Sequence, residues 1–343
     1  MAFLSIAVTS YNRPAELARC LLSIDLPAHY DYEVYVRDDA SPKQSIIEEV
    51  LNTIHVPNLR HTLSSHNIGY DMNLYSAIRE CTGEYVILMS DDDIFCPGSL
   101  LQLWNLLIKQ GCSIGVSGYI QDDGNQFRLI NKEIKHISFK PSAMGRWFYD
   151  FILFSGLIIN RSSFLELRHC NYVNWIYSQV YYSSVIAAKY GLTYYGITLV
   201  RVCGDGENGF GKNDSAGETH RLSDRSTLSS LLNYHLYLFQ TLHQVSKTLE
   251  IPLFAHFINH YLPRLWLLII RCYTTEGKEG VLLLRKNYKM LQKAVPKLNQ
   301  FSVITHTLFA ITDIIPDRIG KWLFAGATSA SVVTLLKLRK VLT

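Results

Sequence analysis

The sequence predicts an α/β chain, with a doubly wound N-terminal domain over residues 1–225 and a mainly α-helical C-terminal region over 226–343. Three observations carry this. Short apolar, β-branched runs alternate with segments of helical periodicity over residues 1–120. The run at 85–89 is apolar throughout, as a strand covered on both faces requires. Beyond residue 228 strand-like runs give way to long helical patterns rich in leucine and aromatics.

Residues 3–8 are the first expected strand. Pro14 then opens a helix, because its fixed φ and missing N–H suit a first turn, and Leu17, Cys20, Leu21 and Ile24 give that helix one apolar face. Strand two spans 33–37, and Ile46, Ile47, Val50, Leu51 and Ile54 line a second helix. Strand three spans 59–63, with a helix near 71–81 after it. The strand at 85–89 leads to a helix expected to begin at Pro97, and 114–119 is a further strand. Over 121–225 the pattern loosens. Strands are expected near 153–160 and 192–200 and a helix over 178–189, followed by a polar, glycine-rich stretch at 204–217 that reads as a mobile loop.

The 343 residues are 48% hydrophobic and 18% charged, which makes a packed core and excludes wholesale disorder. A net charge of +4 is too small to mark a nucleic-acid binder, and no nucleic-acid partner is expected. Seven cysteines, scattered and without a CxxC pair, argue against a disulfide framework or a thiolate zinc site and for reduced thiols in a cytoplasmic protein. Residues 1–10 have no basic n-region, so no secretory leader is expected. The most apolar stretches, 262–273 and 322–336, are cut by Pro263, Arg264 and Arg271 or bounded by Lys321 and Lys337, short of the ~20 apolar residues of a membrane span. Two readings of this region stay open. It is a helical domain packed on itself or on a second copy as a homo-oligomer, or it lies on an anionic membrane with Lys337, Arg339 and Lys340 at the head groups.

Four segments carry chemistry. Ser90-Asp91-Asp92-Asp93 follows the buried strand, at the carboxyl end where open α/β sheets bind ligands. Three clustered carboxylates repel one another unless a cation neutralises them. Mg²⁺ or Mn²⁺ takes one or two carboxylates plus phosphate oxygens, so a divalent ion on a nucleotide diphosphate is expected. The plainer reading makes Asp93 a helix cap. Asp38 and Asp39 end strand two and suit a base N–H or ribose hydroxyls, or else close a turn. After strand one, Thr9, Tyr11 and Arg13 offer an edge or stacking contact and a positive charge beside a helix N-terminus, or an ordinary capped helix. Asn67 and Gly69 form the fourth segment, where glycine permits close backbone approach. Each is weak alone; together they follow four successive strands toward one crevice.

The quoted motifs SIAVTSYNRP, YVRDDAS, HNIGYDMN and GEYVILMSDDDIFCPGSL make residues 1–120 resemble family 2 glycosyltransferases of the GT-A fold. The resemblance implies a sugar transferase using a nucleotide-sugar donor, with Tyr11, Asp39 and Asp38 at the nucleotide. It also implies Asp92 and Asp93 at Mn²⁺ or Mg²⁺, and Asp91 at the ribose or the metal. Ser90 stands where the family commonly has an acid. Inverting members carry a carboxylate base in an acidic pair ahead of a helix, but residues 174–181 contain no acid. Asp150, Asp205, Glu207 and Asp214 are the alternatives for a base, and retention needs none there. Phe154-Ser155-Gly156 resembles the abequosyltransferase-like subset. That subset implies O-antigen or capsule assembly, a glycan or lipid-linked acceptor, and a peripheral place at the inner face of a bacterial plasma membrane. The rivals are a nucleotidyltransferase, against which the glycine-free TSYNRP argues, and an inactive nucleotide-binding module.

Overall fold

Four parallel strands organise the first half of the protein: β1 (Leu4–Ser10), β2 (Tyr32–Asp38), β3 (Leu59–Leu63) and β4 (Tyr85–Ser90). Helices α1 (Pro14–Leu22), α2 (Gln44–Thr53) and α3 (Tyr70–Glu80) connect them. Every residue of β1 and β2 is buried, which their β-branched and aromatic composition anticipates. This is a computed structural model, and it describes residues 2–121, 124–128, 133–167, 177–203, 232–294 and 302–314.

The strands run in the order β3-β2-β1-β4, so the winding reverses between β1 and β4. Such a switch point leaves a crevice outside the carboxyl ends of the two strands. Register keeps those ends level: Ser10 lies beside Asp38, and Thr9 beside Ser90. All four segments named above therefore emerge on one rim.

The second half contains β5 (Ile94–Phe95), α4 (Ser99–Lys109), β6 (Ile114–Gln121), β7 (Gln126–Phe127), β8 (Lys135–Ile137) and α5 (Pro141–Asp150). It continues with β9 (Leu157–Asn160), α6 (Arg161–Leu165), α7 (Ser178–Tyr190) and β10 (Leu192–Val202). Here the sheet departs from the parallel expectation. β9 is antiparallel to both β4 and β6, and only the β6–β10 pair is parallel. The strand expected over 153–160 starts late because the chain turns at Gly156, whose φ of 79° excludes a side chain without strain. Pro97 does not begin a helix: Gly98, left-handed at φ 71°, intervenes, and α4 starts at Ser99. On α2 only Ile47 and Leu51 are buried, and Ile46 faces solvent.

The chain divides into two compact units, Met1–Arg221 with Gln244–Ile251, and Leu222–His243 with Pro252–Thr343. The latter part is helical: α8 (Leu232–Leu249), α9 (Phe254–Ala294, broken at Gly277 with φ 71°) and α10 (Ser302–Ile314). Within α9 the apolar stretch turns Leu265, Leu268, Ile269 and Cys272 inward on one stripe. Among the described residues no helix is long and apolar enough to cross a membrane. The glycine-rich stretch 204–217, the apolar stretch 322–336 and the basic residues after it lie outside the described residues.

Candidate active site

The loop after β4 holds the acids, and the loop after β1 reaches across the switch point to meet them. The backbone N–H of Tyr11 donates to Asp91 Oδ2 at 3.1 Å. Arg13 Nη1 donates to Asp91 Oδ1 at 3.1 Å and to Asp92 Oδ2 at 2.7 Å, so one nitrogen bridges two carboxylates. Arg19, one turn into α1, donates to the Asp92 carbonyl at 3.1 Å. Burial pushes the Asp91 carboxyl up to about 7, against the pull of Arg13. Burial alone would lower the Arg13 pKa, but Asp91 and Asp92 outweigh it and raise the guanidinium above its ordinary value.

The three consecutive acids have three environments. Asp92 is the accessible one, with its side chain 22% exposed; its Oδ1 accepts from the Ser90 hydroxyl. Asp91 is buried against the β1 loop. Asp93 is neither a helix cap nor open to the crevice: it accepts from Ser155 Oγ at 2.5 Å and from the backbone N–H of Cys203 at 3.2 Å. Burial pushes its carboxyl up to about 7, with Asp92 adding to the effect and Ser155 opposing it. Ser155 also accepts from the Ser90 N–H at 3.1 Å, so this fully buried hydroxyl fixes both ends of the acidic loop.

The loops after β2 and β3 complete the rim. Asp39 accepts from the backbone N–H groups of Ile68 at 2.8 Å and Gly69 at 3.0 Å. Burial raises its pKa while those two N–H groups oppose the rise. Gly69, at φ 82°, presents its N–H in a conformation side-chain-bearing residues rarely adopt. Asn67 Oδ1 shares that N–H at 3.0 Å. Asp38, expected at the nucleotide, has its bonds within its own loop. It is fully buried and bonded to Ser41 and Gln44, which makes it the holder of its own turn. Ser41 then accepts from the N–H of Asn12 at 2.6 Å, linking the β2 loop to the β1 loop. Thr9, next to last in β1, is buried beside Ser90.

Of the expected bases, Asp205, Glu207 and Asp214 lie outside the described residues. Asp150 is buried, accepting from Tyr194 Oη at 2.6 Å and pairing with Arg146 Nε at 3.5 Å. Gln179, within the 174–181 stretch where the resemblance implies an acid, is tied to Tyr70 Oη at 3.2 Å and the Ile152 carbonyl at 2.9 Å. Two residues escaped sequence reasoning. Asp71 is buried and accepts from the N–H of Ser178 at the start of α7, at 3.1 Å, a place where a negative charge suits the helix dipole. Arg128 is buried and donates to the carbonyls of Asp150, Leu153 and Ser155, so burial pulls it down to about 10. Asp71 lies within the quoted HNIGYDMN motif, but its partner is 107 residues away, and Arg128 sits in no strand-end motif, so no local signal marks either role.

The chain is similar to known proteins in sequence and fold. The family described as glycosyl transferase family 2 matches residues 5–178, about half of the chain. A Haemophilus influenzae protein named as an uncharacterized glycosyltransferase is 30% identical over 98 residues, 27% of this chain and 31% of that protein. Bacillus subtilis YwdF, also named as an uncharacterized glycosyltransferase, is 25% identical over 172 residues, 48% of this chain and 59% of that protein. The chain thus spans less than two thirds of either relative. The crystal structure of S. aureus TarS resembles it with a TM-score of 0.50 at 15% identity, over 86% of this chain and 55% of that one. That likeness is one of fold, and the fold is GT-A. On the match over its N-terminal half, the chain belongs to glycosyl transferase family 2.

Proposed function

We propose that the protein moves a sugar from a nucleotide-diphosphate donor to a glycan or lipid-linked acceptor, with Mn²⁺ or Mg²⁺ at the donor's two phosphates. The observation that carries this reading is the bridge from Arg13 to Asp91 and Asp92 across the β1/β4 switch point, where an open α/β sheet takes its ligand. The residues fit such an ion. Among the described residues no group of three or more His, Cys, Asp or Glu gathers around one point. An ion of this kind takes one or two carboxylates and completes its shell with phosphate oxygens and water. A cationic nitrogen already lies 2.7 Å from Asp92.

In this reading Asp92 holds the ion and Asp91 orients Arg13 and the Tyr11 backbone. Asp93, with both oxygens engaged, positions the acidic loop instead of ligating. Tyr11 and Asp39 address the base and ribose, Thr9, Asn67 and Gly69 line the rim, and Asp38 shapes the turn behind them. When bound, the ion offsets charge on the leaving nucleoside diphosphate. The acceptor hydroxyl must lose its proton as it attacks. We assign that step to Asp205 or Glu207, because the buried Asp150 already accepts from Tyr194 and pairs with Arg146. The setting we propose is O-antigen or capsule assembly at the inner face of a bacterial plasma membrane.

Gln179 in place of an acid favours one second reading, an inactive nucleotide-binding module. Incubation with UDP-, GDP-, CDP- and dTDP-sugars and Mn²⁺ decides. One donor is expected to release its nucleoside diphosphate, and EDTA to stop it. Formation of nucleoside triphosphate when pyrophosphate is added instead indicates a nucleotidyltransferase, and binding without release indicates the inactive module.

A further inference from the structure

We infer that Arg13 is the resident counter-cation of the acidic loop: its guanidinium takes the divalent ion's place on Asp92 while the site is unloaded, and the ion must displace it to bind. The inference rests on the metal reading above and goes beyond it. It predicts that the protein holds a metal poorly until a nucleotide draws Arg13 away.

The geometry is specific. Nη1 lies 2.7 Å from Asp92 Oδ2 and 3.1 Å from Asp91 Oδ1. The other Asp92 oxygen is held by Ser90 Oγ. Both oxygens of the most accessible acid are therefore committed, one of them to a full positive charge. A divalent ion arriving at Asp92 meets that charge within a few ångströms, and the Arg13 and Asp91 side chains are only 14% and 3% exposed, so solvent screens the contact little. Without Arg13, the three adjacent carboxylates would repel one another, and an ion would be drawn in more strongly. Arg13 also occupies the N-cap position of α1, outside the helical turns. A swing of its side chain therefore breaks no backbone hydrogen bond of the helix. Its backbone carbonyl keeps its bond from the Leu17 N–H at 2.9 Å. The phosphates of a donor at the switch point supply the anionic acceptor that the released guanidinium needs. Nucleotide and ion then favour each other's binding by the same factor, as linkage requires.

The test is a Mn²⁺ titration of the full chain, followed by loss of the free-ion EPR signal, with and without UDP or GDP. The parent is expected to bind Mn²⁺ weakly alone and more tightly with the matching nucleotide. Arg13→Gln is expected to bind Mn²⁺ alone about tenfold tighter than the parent, which corresponds to about 1.4 kcal/mol. Adding Asp92→Asn to Arg13→Gln is expected to abolish the gain. An Arg13→Gln protein that melts like the parent and binds Mn²⁺ no more tightly overturns the inference alone. Absence of Mn²⁺ binding by every protein, with or without nucleotide, overturns the metal reading and this inference with it. Should Arg13→Gln not fold, NMR of the parent decides. The Arg13 side-chain N–H resonance, identified by its loss in Arg13→Lys, is expected to shift when Mg²⁺ and UDP or GDP are added. A resonance that stays in place while Mg²⁺ binds overturns the inference.

Discussion

The two halves of the sheet treat their carboxylates differently. Around β1–β4, acids are held by groups from distant loops: Asp91 and Asp92 by Arg13, and Asp39 by Ile68 and Gly69. Around β6, β9 and β10, the buried Asp150 is bonded to Tyr194 and Arg146, and the buried Arg128 donates to three carbonyls. Satisfied buried polar groups specify a scaffold, while a partly exposed acid beside a cation marks a place where a ligand exchanges with the protein's own contacts. In the reading proposed here, ligand chemistry concentrates in the first half, and the described part of the second half frames it.

The sharpest contrast sets Asp92→Asn against Asp150→Asn. The first is expected to lower turnover by roughly 10²–10³-fold, the scale for losing one preorganised electrostatic contact, with little change in melting. The second is expected to lower melting and leave turnover within a few-fold of the parent. Steady-state kinetics beside thermal denaturation checks both. Loss of turnover in a stably folded Asp150→Asn breaks the contrast and makes Asp150 the base.

Next in size is the seam between the halves. Asp93→Ala leaves the Cys203 N–H and the Ser155 hydroxyl without their acceptor. That is expected to cost about 1–3 kcal/mol in urea denaturation. Gly156→Ala forces a side chain to φ 79°, with its Cβ 2.5 Å from Ser117 Oγ, and is expected to cost on the order of 2 kcal/mol.

The smallest effect depends on pH. Burial raises the Glu33 pKa, but donors from Arg60, Ser5 and the Thr82 N–H outweigh it and hold the carboxyl below the ordinary range. A depressed carboxyl adds stability above its unfolded pKa of about 4.3, and that stability is lost as pH falls through the lower folded value. The stability gap between the parent and Glu33→Gln is thus expected to be constant near neutrality and to narrow below about pH 4.3. Urea midpoints measured from pH 7 to 3 check this.

The same contrast governs what the sequence made legible. β1 to β4 and the helices between them follow from local signals, because each buried strand is an apolar run and each helix carries its own stripe. The rim was legible because chain order alone places the motifs at strand ends. Which acid does what was not. Asp38 and Asp39 are adjacent and chemically alike, yet one closes a turn with Ser41 while the other receives two N–H groups from a loop 29 and 30 residues away. Arg13 meets its acids across 78 and 79 residues, a pairing no periodicity records. The antiparallel insertion of β9 depends on a turn at Gly156 and on partners far along the chain.

The central claim is that the acidic loop after β4 receives a nucleotide diphosphate together with a divalent ion. Thermal-shift measurement of the parent and Asp92→Ala against UDP, GDP, CDP and dTDP, each with Mn²⁺, tests it most directly. The account predicts that one nucleotide raises the melting temperature of the parent only when Mn²⁺ is present, and that Asp92→Ala loses this response while still folding. Equal stabilisation of both proteins, or a parent that none of the four nucleotides stabilises, contradicts it.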